Sequence, residues 1–513
     1  MSLVTGSGDL TLPSQSETRG PYPKLKVCHL VATTEGAPWM YEQLRELRDQ
    51  YGFEVTAVVS GDSGPLVAKL DAAGIPHFAA NFEFGTLRSM LRLPRSIYGL
   101  ARFFRQQRFD VVQTHIFISM VFGRLASWLA DVPVRLSMIA GPFHLKAHTS
   151  RWIDRSTCWM ETALVPSCEE SVRLCREMGV RDERLRLIYY SADEQNFDPR
   201  RTLPINLRQQ YGWAQDTPLI GMVAYFYPRL PKSRWIPSFL HEQGVKGHED
   251  LIKAAPIILT EFPAAKFLLV GSGWGAAGDT YLQEVKELVR RLKLEESVIF
   301  AGYRADINSV LREVDVAVQP SLDENLGGTL EALLMECPLV ATRVGGMVDT
   351  VRDGQTGVLV NPASPDDLAR GILQLLREPE RARALGRAGR KLILERFSLN
   401  RTVQDLAGLY DCLAAREKKR RKFYQPSVSL WRLVVAMPIV AYLAFRLFVI
   451  DLKLPVYLLK LPVYLLRIWF YRLLRAAYLV SCWLRRRKVN ETKAELKQSS
   501  VHKLTQLSES ESD

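Results

Sequence analysis

The stretch PSLDENLGGTLEALLMECPLVATRVGG (320–346) concentrates residues that do chemistry. A strand ends at Pro320 and Ser321, a loop carries Glu324, Gly327 and Gly328, and a helix is predicted to open near Thr329 with Glu331 in its first turn. Paired glycines at a helix start let backbone N–H groups approach an anion, and the helix dipole favours a phosphate there. Ionised carboxylates beside such a site accept hydrogen bonds from a diol. Phosphates on the glycines and hydroxyls on the glutamates describe a nucleotide sugar. The plainer reading of the same residues is a first-turn acid above an ordinary turn. Context favours the first. VGSG (270–273) puts Gly271 and Gly273 after a strand, VKGHEDLIKAA (245–255) opens a helix behind Lys246, and Gly346 follows a further strand.

Such loops need strands to hold them. Residues 25–32, 53–60, 109–115, 134–140 and 163–167 read as buried strands, with helices over 39–50, 86–107 and 116–130. A second series has strands at 218–226, 266–271, 297–302, 314–321, 338–345 and 357–362, with helices at 247–259, 280–293, 305–313, 328–336 and 366–377. Residues 379–415 also read as helical. This alternation predicts an α/β chain of two doubly wound, Rossmann-like domains facing a cleft, over 25–195 and 205–395. The Asp-, Asn- and Pro-bearing stretch 191–215 reads as the linker, and 396–415 as a helix closing the pair.

The net charge of +13 invites nucleic acid as a partner until it is located. Residues 416–488 hold 17 Lys and Arg against 2 Asp and Glu, whereas residues 1–415 hold 48 of each, so the excess belongs to one segment. No CxxC pair occurs among the seven cysteines, which argues against a disulfide framework or zinc ribbon and for a reducing compartment. Residues 1–24 are polar, read as disordered, and lack the apolar run of a signal peptide.

In the order of its motifs, from a glycine-bearing first loop through K-G-H-E, G-S-G, F-x-G-Y and P-S-x-x-E…G-G…E-A-L to V-A-T-x-V-G-G, the chain resembles the family-4 retaining glycosyltransferases of the GT-B fold over about residues 25–415. The resemblance implies the following roles. Lys246 binds the donor diphosphate, Glu331 the ribose hydroxyls and Glu324 the donor sugar. Backbone N–H groups near Gly327, Gly328 and Thr329 cradle phosphate. Gly271 and Gly273 belong to the donor site, Tyr303 and Arg304 lie where the base packs, and Gly36 lets phosphate or acceptor approach the first loop. A first-domain histidine faces the reacting sugar; His144 is the choice, with His148 and His115 as lesser candidates. Lys246, Glu324 and His144 are thus the catalytic set.

Two departures stand out. Six residues separate Glu324 from Glu331 where the family has seven, which leaves Asp323 as an alternative to Glu324. Tyr225 stands where the family carries Arg, and an insertion over 229–245 offers Arg229, Lys232 and Arg234 as replacement phosphate ligands. No D-x-D triplet occurs in residues 1–415, and the His144/His148 pair has no third ligand, so neither a cofactor nor a metal is expected. A metal-free clamp of cation and backbone donors would then stabilise the leaving diphosphate.

The basic segment is apolar and aromatic, with Arg446, Lys453, Lys460 and Arg467 spaced by seven. Seven residues are nearly two helical turns, so these cations form one stripe. A basic stripe on apolar helices, kinked at Pro438, Pro455 and Pro462, fits a segment lying in an anionic bilayer interface over 428–488. Spans within 430–484 stay open, because the longest uncharged run, 433–445, is short for a crossing. Residues 489–513 read as a disordered tail. The expectation is a transferase at the cytoplasmic face of a membrane. It takes a nucleotide-diphosphate sugar, UDP-linked by preference, to a glycan or lipid-linked acceptor in polysaccharide assembly, with no nucleic-acid partner. A weakened sugar-nucleotide-binding protein and a GT-B-like sugar-nucleotide epimerase are the alternatives.

Overall fold

The computed structural model describes residues 24–83 and 87–423. Residues 24–82 and 96–423 form one compact unit; Glu83 and residues 87–95 are the described part of a second. The first sheet comprises β1 (Lys26–Val31), β2 (Glu54–Val59), β3 (His77–Ala79), β4 (Val111–His115), β5 (Val134–Ile139) and β6 (Ala163–Pro166), in the order β3-β2-β1-β4-β5-β6. The second comprises β7 (Leu219–Val223), β8 (Lys266–Val270), β9 (Val298–Gly302), β10 (Val316–Gln319), β11 (Leu339–Thr342) and β12 (Val358–Val360), in the order β12-β11-β10-β7-β8-β9. Every pairing is parallel. Read from its first strand outward, each sheet reverses direction between its first and fourth strands, the crevice where open α/β sheets receive ligands.

The sequence explains the strands. β4 and β10 are buried along their whole length, as strands covered on both faces are; β10 (VAVQ) is mostly apolar, whereas β4 (VVQTH) carries Gln113, Thr114 and His115 into the interior, where they hydrogen-bond. Most predicted strands and helices match within a few residues. The short β3 and the helices Pro65–Ala72, His148–Thr157 and Glu169–Glu177 were not predicted. The stretch read as helical over 379–415, with a closing helix over 396–415, comprises two helices, Pro379–Arg396 and Leu399–Phe423, broken at Phe397 and Ser398, where Ser398 bridges to Ala192. Local chemistry sets other boundaries: Pro365 occupies the first turn of Pro365–Arg377, and Ser364 Oγ accepts a hydrogen bond from Asp367 N at 3.3 Å.

The helix Leu399–Phe423 packs on the helix Pro38–Tyr51. Its Tyr410 hydroxyl lies 2.9 Å from His29 Nε2 and donates to Gln113 Oε1 at 2.7 Å, all three groups being buried. His115 completes this network with His29 (3.2 Å) and the Tyr190 hydroxyl (3.0 Å). Burial pushes the His29 imidazole down to about 3, and it pushes His115 down as well, so both are neutral. They pin the closing helix to β1 and β4.

Among the described residues, no helix is long and apolar enough to cross a membrane. The interfacial segment read over 428–488, and the terminal stretches 1–23 and 424–513, lie outside the described residues.

Candidate functional site

At the carboxyl ends of β7, β8 and β10 lies a cavity of about 280 Å³. Lys246, Glu331, Gly327, Gly328 and Gly271 line one part of it, and Tyr225, Tyr303 and Arg304 another. Backbone geometry brings these loops together. Gly247 has φ +74, and a Cβ there would collide with the Pro320 carbonyl oxygen. Leu322 N donates to Val245 O at 2.8 Å, which ties the lysine loop to the glutamate loop. At Gly327, φ is +56 and a Cβ would come within 2.9 Å of Glu324 Cγ. Glycines here permit a left-handed turn and a close approach that side chains would block.

The ammonium of Lys246 donates to Glu324 Oε2 and stands 5.7 Å from the centre of the Tyr227 ring. Burial alone would depress its pKa, but the adjacent Glu324 carboxylate outweighs burial and the net shift is upward, so the cation is secure. Glu324 Oε1 accepts from Asn325 N at 3.1 Å. Asp323, the alternative to Glu324, faces the other way: its Oδ1 accepts from Lys146 Nζ at 2.5 Å. Its carboxyl is pushed up to about 6 by burial, against the pull of Lys146. Of the two acids, Glu324 is the one joined to the cavity lysine.

Glu331 sits in the first turn of the helix Thr329–Leu334. Burial, with the nearby Glu324 charge, pushes its carboxyl up to about 7, against its backbone N–H and Lys246. Its Oε2 has no hydrogen-bond partner among the described residues. A buried carboxylate oxygen without a donor is costly unless a ligand supplies one, and a diol does. Thr329 itself is fully buried, its hydroxyl 2.9 Å from that of Thr350, so only its backbone is available to an anion.

Other expected residues fall into three groups. Gly271 lines the cavity with φ +149, whereas Gly273 packs against Asp279 at the start of the helix Gly275–Arg291 and lies behind it. Tyr303 is 65% exposed at the rim, an available face for a base, and Arg304 is held by Asp306 at 2.9 Å. Gly36 is exposed with φ +68 in the first loop and does not line this cavity. The three replacement cations do not reach it. Arg229 is spent on Glu249 and Glu284, with Nε to Glu284 at 2.8 Å, Lys232 pairs with Glu242 at 3.0 Å, and Arg234 is exposed. None of the three residues expected as substitute phosphate ligands lines the donor cavity, and carboxylates pair with two of them.

In the first domain, His144 is nearly buried in the short helix Phe143–Lys146, its ring 5.4 Å from Phe117 and its Nε2 2.9 Å from Asp154 Oδ2. Arg124 bonds Asp154 at 2.8 Å and reaches Glu161 at 3.0 Å. Burial raises the pKa of Asp154, but the Arg124 and His144 charges bring the net shift below the usual carboxylate range. His148 is exposed, and His115 is consumed by the buried network above, which removes it as a candidate. Sequence reasoning missed Tyr227, which flanks Lys246, and the Asp154–Arg124–Glu161 cluster behind His144; no local spacing joins those residues.

The family profile "Glycosyl transferase 4-like domain" matches residues 36–191, and "Glycosyl transferases group 1" matches residues 238–392. The chain belongs to the GT-B glycosyltransferases of the family-4 kind. Among curated relatives of this glycosyltransferase, EpsD of Bacillus subtilis is 35% identical over 177 residues, covering 34% of this chain and 45% of EpsD. The chain thus spans less than half of that relative's length. The UDP-Gal:alpha-D-GlcNAc-diphosphoundecaprenol alpha-1,3-galactosyltransferase of Escherichia coli is 22% identical, over 76% of this chain and 98% of the relative. Anabaena HepE, solved with UDP, shares the fold at a TM-score of 0.63 and 20% identity, over 76% of this chain and all of HepE. In this glycosyltransferase Tyr225, the residue the resemblance placed where an arginine is expected, lines the cavity as a partly exposed aromatic 5.0 Å from the Trp274 ring.

Proposed function

We infer that this glycosyltransferase transfers a sugar, with retention, from a nucleotide-diphosphate donor to a glycan or lipid-linked acceptor. One observation carries the donor reading: Lys246, paired with Glu324, and Glu331, whose Oε2 has no partner among the described residues, line the same cavity beside Gly327 and Gly328. A diphosphate takes the lysine and the backbone N–H groups, and a ribose diol takes Glu331. UDP is the nucleotide to test first, because HepE was solved with UDP and the E. coli relative is named for a UDP-sugar. Lys246 and the backbone donors take up the charge that develops on the leaving diphosphate.

The acceptor reading rests on the apolar basic segment 428–488, which would hold the enzyme at an anionic membrane on its cytoplasmic face, and on the lipid diphosphate in the name of the E. coli relative. Purified enzyme in detergent is offered UDP-, GDP- and ADP-sugars with a membrane lipid extract, and transfer to lipid is measured. Transfer from a UDP-sugar that vanishes in Lys246→Ala and Glu331→Gln supports the reading. Binding without turnover would make the protein a sugar-nucleotide sensor, a reading that Tyr225 in the arginine position favours.

A further inference from the structure

On the other side of the 322–324 loop lies a larger cavity, about 660 Å³, over the ends of β11 and β12. Lys146, Glu169, Glu170 and Arg173 of the first domain face Leu322, Arg343 and Val344 of the second across it, and Phe239 and Gln243 come from the 229–245 insertion. We propose that this cavity is a saccharide subsite, holding a sugar ring of the acceptor away from the reacting hydroxyl; the assignment to an acceptor rests on the donor reading above.

Three observations select a saccharide. First, Phe239 is 56% exposed in the wall, a flat apolar face of the kind that packs on the C–H face of a sugar ring. Secondly, the polar groups combine donors and acceptors, as hydroxyls require: guanidinium, ammonium, carboxylate and the Gln243 amide. Thirdly, the cations carry no surplus charge. Lys146 contacts Asp323 at 2.5 Å and Glu170 at 3.0 Å, Arg173 contacts Glu170 at 3.3 Å, and Arg343 contacts Asp353 at 3.0 Å. A phosphate would have to compete with carboxylates for each of them, whereas neutral hydroxyls bond both partners of each pair. The insertion thereby acquires a role. Arg234 O accepts from Thr149 N at 3.3 Å and the Trp235 ring lies tilted 6.4 Å from that of Phe117, so the insertion crosses to the first domain and presents Phe239 beside Lys146, at 5.9 Å.

The test uses full-length protein in detergent with methyl glucoside, methyl galactoside and N-acetylglucosamine as probes, read by saturation-transfer NMR. Inorganic phosphate serves as competitor, and UDP titration runs on the same samples. At least one saccharide should bind, lose about tenfold in affinity in Phe239→Ala and in Gln243→Ala, and persist in phosphate, while UDP affinity is unchanged in both variants. Saccharide binding that ignores both substitutions, displacement by phosphate, or no saccharide binding by a protein that binds UDP would overturn the subsite alone. Failure to bind any nucleotide would instead remove the donor reading and, with it, the assignment to an acceptor.

Discussion

Asp323 and Glu324 are neighbours in sequence, yet each completes a different lysine pair. Glu324 meets Lys246 inside the second domain, on the wall of the smaller cavity, and Asp323 meets Lys146 of the first domain, behind the larger one. The two neighbouring carboxylates thus turn to different lysines, one at each cavity. The environments also differ. Glu324 is partly exposed at 14% and shares its site with Glu331, whereas Asp323 is buried at 1% and clamps the two domains. On the proposed reading the first pair serves donor binding and chemistry, while the second joins the two domains.

That contrast is easiest to break on the nucleotide side. Lys246→Ala leaves two carboxylates facing the diphosphate without a cation, and transfer should fall by about 10²–10³-fold in kcat/KM. Steady-state assays check this, with UDP titration to confirm that the loss lies in donor interactions. Glu331→Gln should weaken UDP by about tenfold. Because the Glu331 carboxyl titrates near 7 and its ionised form is the better acceptor, the ratio of wild-type to variant affinity should rise between pH 6 and pH 8. Stability moves oppositely. Its folded pKa lies above the unfolded value of 4.5, so the protonated acid favours folding, and that contribution is lost as pH rises through 7. Ligand-free Glu331→Gln should therefore melt higher than wild type at pH 8, with the advantage shrinking towards pH 4.5.

The Asp323 side sharpens the comparison. Asp323→Asn should lower stability by about 1–3 kcal/mol, since it uncouples a buried pair between domains, while UDP affinity stays within about twofold. Denaturant unfolding and UDP titration on one sample separate the two effects. The smallest change expected is a gain. Tyr225→Arg places a cation in the cavity wall and should tighten UDP by about threefold, with a steeper salt dependence, since one added charge near a partly exposed diphosphate is screened. Calorimetry at two ionic strengths checks it.

How far these arrangements were legible follows from how local they are. Lys246 comes from the loop before another helix and its role followed from the family resemblance, whereas Gly327, Gly328 and Glu331 lie within one strand–loop–helix unit, so their spacing marked them. The alternating strands announced both sheets for the same reason. Facing is another matter. Nothing in DEN says that Asp323 turns to Lys146, a residue 177 positions away. Arg229 looked like a phosphate ligand because its partners, Glu249 and Glu284, arrive from two separate helices. His144 was chosen by resemblance, but its carboxylate partner, Asp154, lies on the next helix, His148–Thr157, whose buried face is largely polar and so carries no apolar stripe. Partner choice among charged side chains is a tertiary property.

The central claim is that the Lys246–Glu331 cavity binds a nucleotide diphosphate. Calorimetric titration of UDP into wild type, Lys246→Ala, Glu331→Gln and Lys232→Ala tests it most directly. The account predicts binding by wild type, equal binding by Lys232→Ala, and losses of about tenfold or more in the two cavity variants. Equal affinity in all four proteins would contradict it.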